Sequence, residues 1–293
     1  MKDNEVYFIK KNHSYVSKKG PYRSVSSIMK HIAAPFNEME NLLRSAIRAH
    51  DESIYIEAKE IFDWDDPKIF KWMFDKAVEK GIQEEVNIEA NELKRLWAKN
   101  SESGTALHDG FEAFDIEQGF VEYQNIRYKV IPRYEIEGYE NSSETLTKAL
   151  KKYRENIFIP EALVHVECID KETGKPFYIA GQIDKLYLIY LGGGKWLAII
   201  GDYKTDKSLS WKGIYSRSKN ESGFMKGFPN MKGPFKEYND SKLNYYLIKM
   251  NYYAKFLIKT YDIKTKSMFI TNFPRENKKN FHYPIPIHRM IYK

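Results

Sequence analysis

The sequence predicts a helical N-terminal part joined to a mixed α/β core. Three observations carry that prediction. Residues 38–100 repeat apolar side chains at helical spacing. Residues 158–203 hold three strand-like apolar runs parted by turn signals. A long helical stretch, 241–260, then leads into a last strand-like run, 267–273.

To residue 35 the pattern reads strand, turn, strand and short helix. Tyr7-Phe8-Ile9 and Tyr15-Val16 flank polar residues, Gly20-Pro21 marks a turn, and Ser24 or Ser26 is placed to cap the helix. Asp66-Pro67 opens a helix that Gly81 ends, with Ile69, Phe70, Met73, Phe74 and Val78 as its apolar stripe. A second stripe runs through Ile88, Leu93, Leu96 and Trp97. Residues 101–104 read as a polar, flexible break. The next helix, 105–118, has Leu107, Phe111 and Phe114 on its buried stripe and ends at Gly119. Residues 120–137 alternate as strands, and 142–155 is a capped, mostly charged helix. Three strands follow, 158–168, 177–190 and 195–203, turning at Glu172-Thr173-Gly174-Lys175 and at Gly192-Gly193-Gly194. The expected organisation is a mostly helical part over 1–100 and a core over 101–293 with a basic insertion at 207–240, folded as one unit.

Composition narrows the function classes. Hydrophobic residues make up 42% of the 293 and charged residues 30%, as in ordinary globular proteins. No apolar run reaches the roughly 18 residues of a membrane span, and the N-terminus lacks the layout of a signal peptide. A cytoplasmic setting with no membrane partner is expected. Cys168 is the sole cysteine, which excludes an internal disulfide, a thiolate zinc site and a four-cysteine iron–sulfur cluster. A metal would have to sit on oxygen and imidazole, favouring Mg2+ or Mn2+, with zinc as second choice. The net charge of +7 suggests a polyanionic partner. Nearly all of that excess lies over 207–236, where seven basic residues meet one acid, Glu221.

Chemistry concentrates at the second hairpin. With Gly193 as the centre of a three-residue loop, Asp184 and Asp202 fall directly opposite one another. Cross-strand like charges repel, and a cation between them turns that liability into a site. Strand period two sets Lys204 on the face of Asp202. An Asp-x-Lys triplet alone is common, but the opposed second aspartate distinguishes this one. On the helix before it, His108 and Glu112 lie four apart on one face. His108 reads either as a metal ligand or as an ordinary helix-surface histidine.

Together, Gly104-Thr105-Ala106-Leu107-His108, Ala180-Gly181-Gln182-Ile183-Asp184 and Gly201-Asp202-Tyr203-Lys204-Thr205 resemble the GTxxH, GxxD and DxKT motifs of RecB-type nucleases in the PD-(D/E)XK superfamily. Asn12-His13-Ser14-Tyr15 and Tyr22-Arg23-Ser24-Val25-Ser26 are similar to the opening of phage and mitochondrial genome-maintenance-type exonucleases of that superfamily. The resemblance covers roughly 1–30 and 100–273. It implies a restriction-endonuclease-like core, a mixed central sheet flanked by helices. It implies metal ligation by His108, Asp184, Asp202 and the Tyr203 carbonyl, with Lys204 as catalytic lysine beside the two aspartates. The family's Gln-x-x-x-Tyr helix corresponds to Lys249 and Tyr253 here, a lysine standing where glutamine is expected. By analogy, helices such as those of 38–100 shape a DNA entrance.

Phosphodiester hydrolysis needs a nucleophilic water and neutralisation of charge in the transition state, the chemistry of a hard metal on Asp184 and Asp202 with Lys204 beside it. Glu161, after Pro160, is a second candidate as outer ligand or water holder, its plainer reading being a strand-end charge. Glu112, Lys249 and Tyr253 share that second rank. Lys207, Trp211, Lys212, Tyr215, Arg217 and Lys219 interleave cations and aromatics in the manner of a single-strand contact. The expected function is a Mg2+- or Mn2+-dependent exonuclease acting on DNA ends, in single strands or at a free end, in phage or bacterial DNA processing. The competing readings are a catalytically silent DNA-binding module and an endonuclease of the same fold. Oligomeric state is open.

Overall fold

A computed structural model describes residues 5–32, 38–62, 68–133, 138–170, 172–205, 209, 231–273 and 281–287. The protein is α/β with a mixed sheet, and it divides into two compact units. One comprises Met1–Lys30, Leu107–Leu209 and Tyr245–Lys293, the other His31–Ala106 and Ser210–Asn244. The first thirty residues thus group with the sheet, not with the helical part as expected. The reason is strand pairing. After β1 (Tyr7–Ile9) and β2 (Ser14–Ser17), β3 (Gly20–Ser24) joins the central sheet before the chain enters α1 (Val25–Ile32).

The helical unit contains α2 (Glu38–His50), α3 (Glu52–Ile61), α4 (Lys68–Glu79) and the first part of α5 (Gln83–Gln118). Its core is Leu42, Ala46 and Ile47 from α2, Ile54 and Ala58 from α3, Ile69, Met73 and Ala77 from α4, and Val86 and Ala90 from α5. The buried lines of α4 and α5 therefore run through alanines at i+4 and i+8 spacing. That displaces part of the expected stripes: Val78, Ile88, Leu96 and Trp97 are exposed. Asp66-Pro67, the expected start of α4, lies outside the described residues. Residues 101–104, expected to be a break, are helical within α5. There the Ser103 and Thr105 hydroxyls donate back to the carbonyls of Lys99 (2.8 Å) and Ser101 (3.2 Å), so they do not cap a new helix.

The other unit holds every described strand. β4 (Phe120–Tyr123), β5 (Ile126–Val130) and β6 (Asn141–Ser142) precede α6 (Glu144–Lys152). The long strands β7 (Ile157–Ile169), β8 (Pro176–Gly192) and β9 (Lys195–Lys204) follow. Then come α7 (Lys242–Tyr261), β10 (Lys264–Asn272) and β11 (Phe281–Ile285), the last of which has no counterpart in the sequence reading. Among the described residues no helix is long and apolar enough to cross a membrane.

Strand β8 positions the site. β7 lies antiparallel along nearly its whole length, from Ile169 with Pro176 to Ile157 with Leu188. Its other edge is divided. β9 pairs antiparallel from Gly192 down to Lys185, and β3 pairs in parallel at Ile179 and Ala180. Residues 181–184 lie in the fork between those two partners. The β8–β9 turn is Gly193-Gly194, both at positive φ (58° and 75°), as a tight two-residue hairpin requires. A bulge between Tyr190 and Gly192 compensates for the shorter loop.

Candidate active site

Three carboxylates form a row across β7, β8 and β9 at the fork. Pro160 pairs with Lys185 and Ala162 with Ile183, which brackets Glu161 opposite Asp184. The β8–β9 register, extended one residue beyond Lys185 with Gly201, sets Asp184 opposite Asp202. The carboxylate of Asp184 substitutes for a ladder acceptor where the strands part: its Oδ2 accepts from the Tyr203 backbone N–H at 2.9 Å.

Glu161 is at φ 48°, in the left-handed region that costs a non-glycine residue energy. Asn141 holds that bend, its Nδ2 donating to the Glu161 carbonyl at 2.6 Å while its Oδ1 accepts from the Ser142 N–H at 2.8 Å. Asn141 is buried, so losing the side chain strands a carbonyl beside a strained residue. Asn141→Ala is expected to lower stability by about 1–3 kcal/mol and to weaken Mn2+ binding, both readable from melting curves with and without the metal.

Helix α5 supplies His108. Phe111, three residues on, stacks on Tyr203 at 4.8 Å and meets Phe273 at 4.9 Å, which seats this part of the helix on β9. The His108 Nε2 lies 3.3 Å from the Tyr203 carbonyl. With its proton on Nε2, the Nδ1 lone pair faces Asp184 Oδ2 at 3.7 Å and Glu161 Oε1 at 3.8 Å. Of the expected buried stripe here, Leu107 and Phe114 are exposed and Phe111 alone packs as predicted.

Two lysines enter the row. Lys204 Nζ contacts Asp202 Oδ2, donates to the Tyr203 carbonyl at 2.7 Å and lies 3.9 Å from Asp184 Oδ2. Lys249, from α7, brings its Nζ to 3.7 Å from Asp202 Oδ1. One turn further, the buried ring of Tyr253 packs on Gly181: a Cβ there would stand 2.6 Å from Tyr253 Cε1. Tyr15, from β2, sits with its hydroxyl 3.5 Å from Gln182 Oε1.

Electrostatics follow from burial. Burial, then the charge of Asp202, pushes the Asp184 carboxyl up to about 6. Burial also opposes ionisation of Asp202, but Lys204 and Lys249 outweigh it and hold that carboxyl low. For His108, burial disfavours the cation, yet Glu161 and Asp184 raise its pKa. Lys249 stays charged despite burial because Tyr253, Asp202 and Asp184 favour the ammonium. Burial lowers Lys185 to about 8, where its ammonium lies 3.9 Å over the Tyr203 ring.

The residues singled out in the sequence distribute as follows. His108, Glu161, Asp184, Asp202, Lys204, Lys249 and Tyr253 converge. The Tyr203 carbonyl, expected as a metal ligand, accepts from Lys204 Nζ and lies beside His108 Nε2. Glu112 is drawn off by Arg133, at 2.7 Å. Lys207, Trp211, Lys212, Tyr215, Arg217 and Lys219 lie outside the described residues. Asn141 and Gln182 were not picked out by sequence reasoning, because each meets a partner distant in sequence, Glu161 and Tyr15, and so leaves no local pattern.

His108, Glu161 and Asp184 offer ligand atoms that all lie within 4.8 Å of one another. Ligands about 2.1 Å from a shared Mg2+ stand roughly 3–4 Å apart, so the 3.7 and 3.8 Å separations fit one small divalent ion. The two carboxylates suit Mg2+ or Mn2+, and the imidazole tilts the set toward Mn2+ or zinc.

No family model matches the chain, and no curated protein matches it. Among solved structures it is similar to one described as the crystal structure of SSO0001, at 12% identity and a TM-score of 0.24, covering 50% of each chain. The chain thus spans about half the length of that protein, and a likeness at this level carries no argument for fold or activity.

Proposed function

We propose that this protein is a divalent-metal-dependent DNA exonuclease, RecB-like in its motif order and of the PD-(D/E)XK superfamily, acting in the cytoplasm. The observation that supports the reading best is the convergence of two carboxylates and an imidazole, Glu161, Asp184 and His108, beside the ammonium of Lys204. Mg2+ or Mn2+ on those donors supplies Lewis acidity to a phosphoryl oxygen and to water. The protein's own groups do the rest. An ion pair with Asp202 and a hydrogen bond to the Tyr203 carbonyl anchor the Lys204 ammonium, which can serve the attacking water or a phosphate oxygen. His108, anchored through Nε2, keeps Nδ1 turned to the carboxylates. Tyr253 on Gly181 fixes α7 against the row.

The pH dependence has a definite sign. Asp184 titrates at about 6 in the folded protein, above its unfolded value, so the folded state holds the extra proton between about 4 and 6. Stability of the metal-free protein therefore falls as pH rises through that window. Mn2+ affinity changes oppositely, rising as Asp184 and His108 lose protons. Asp184→Asn is expected to raise the melting temperature of the metal-free protein at pH 7, while abolishing cleavage.

The deciding assay offers end-labelled linear DNA, single- and double-stranded, beside a covalently closed circle, with Mg2+, Mn2+ or EDTA. Metal-dependent loss of linear DNA alone supports the exonuclease reading. Cleavage of the circle turns it into an endonuclease. Salt-sensitive binding with no cleavage in any lane leaves a DNA-binding module and overturns the enzyme.

A further inference from the structure

We infer that the centre takes a single divalent ion on His108, Glu161 and Asp184, and that Lys249 acts with Lys204 to keep Asp202 out of its ligand set. The inference rests on the metal reading of the site given above. Asp202 stands opposite Asp184, where a shared pair of ions would be expected to use both. Its two oxygens are, however, each faced by an ammonium: Lys204 on Oδ2, and Lys249 at 3.7 Å from Oδ1. The side chain of Asp202 is only 4% exposed, so it has no room to swing away from either. The ligand atoms that do cluster belong to the other three residues.

Charge balance argues the same way. With His108 neutral, Glu161, Asp184 and Asp202 face Lys204 and Lys249, which leaves one unbalanced negative charge. One divalent ion makes the cluster singly positive, the right sign for one phosphodiester. A second ion would leave three positive charges in a poorly solvated site, which is strongly unfavourable. Lys249 is largely buried, its side chain 15% exposed, and it lies one turn before the Tyr253 that packs on Gly181. An ammonium thereby faces the Asp202 oxygen that a further cation would need as a ligand. Lys249 is a positioning residue: it sets how many ions the row accepts.

The test is a titration of the full chain with Mn2+, reading free ion by electron paramagnetic resonance, with melting curves to confirm that each variant folds. Wild type is expected to bind one ion. Asp184→Asn should weaken binding by more than about 100-fold, and Asp202→Asn by about tenfold, the low end of an outer-sphere effect. Lys249→Gln removes a nearby positive charge and should tighten the site by about tenfold. Two ions in wild type, or a loss in Asp202→Asn as large as in Asp184→Asn, overturns the inference and leaves the metal reading standing. Unchanged or weaker binding in Lys249→Gln also overturns it. Failure of wild type to bind Mn2+ at all overturns the metal reading itself.

Discussion

Lys204→Ala is expected to cut the rate of DNA cleavage by about 100- to 1000-fold without weakening Mn2+ binding. The split between the two readouts comes from geometry. Lys204 is not among the clustered ligand atoms, but its ammonium lies 3.9 Å from Asp184 Oδ2 and is held on Asp202 and the Tyr203 carbonyl. It is placed where negative charge develops, and its removal takes away that stabilisation without touching His108, Glu161 or Asp184. The loss should appear in the single-turnover rate and not in the affinity for DNA. Lys204→Arg should recover little, because a planar guanidinium cannot reproduce a compact ammonium between Asp202 and the Tyr203 carbonyl. Cleavage within about threefold of wild type in Lys204→Ala would remove the lysine from the mechanism.

Gly181→Ala is expected to lower the stability of the protein markedly. The added methyl would meet Tyr253 at 2.6 Å from Cε1, 3.0 Å from the hydroxyl and 3.2 Å from Cζ. That ring is buried and cannot swing into solvent. Overpacking of this kind costs about 1–3 kcal/mol. In a protein of this size the melting temperature should fall by roughly 2–10 °C. Because Tyr253 and Lys249 sit on adjacent turns of α7, the same change should disturb the ammonium on Asp202. Tyr253→Leu, which gives the methyl room, should recover part of the loss. An unaltered melting curve for Gly181→Ala would mean that the packing of α7 on β8 is looser than described.

The opposition of Asp184 and Asp202 is legible in the sequence, though partly through cancellation. The hairpin closes on two glycines instead of three, which alone would shift the register, and the bulge before Gly192 shifts it back. Glu161 is harder to read. The β7–β8 hairpin closes at Asp170 and Lys175, whose backbones bond at 2.9 Å. A turn taken at 172–175 sets a different residue opposite Asp184, so Glu161 looks like a strand-end charge. The left-handed backbone that aims it depends on Asn141, distant in sequence and outside any periodic pattern. Helical periodicity marked 38–100 as helical but misplaced part of the buried stripes, because the alanines Ala77 and Ala90 carry the packing lines. The polar run at 101–104 looked like a break because serine and threonine often end helices. Here their hydroxyls turn back onto the helix itself.

His108, Glu161 and Asp184 together are proposed as a metal centre. Diffraction from Mn2+-soaked crystals at the manganese edge tests it most directly. The account predicts one anomalous peak, about 2.0–2.3 Å from His108 Nδ1 and from carboxylate oxygens of Glu161 and Asp184. A peak elsewhere, or none at these residues in the presence of excess Mn2+, would contradict it.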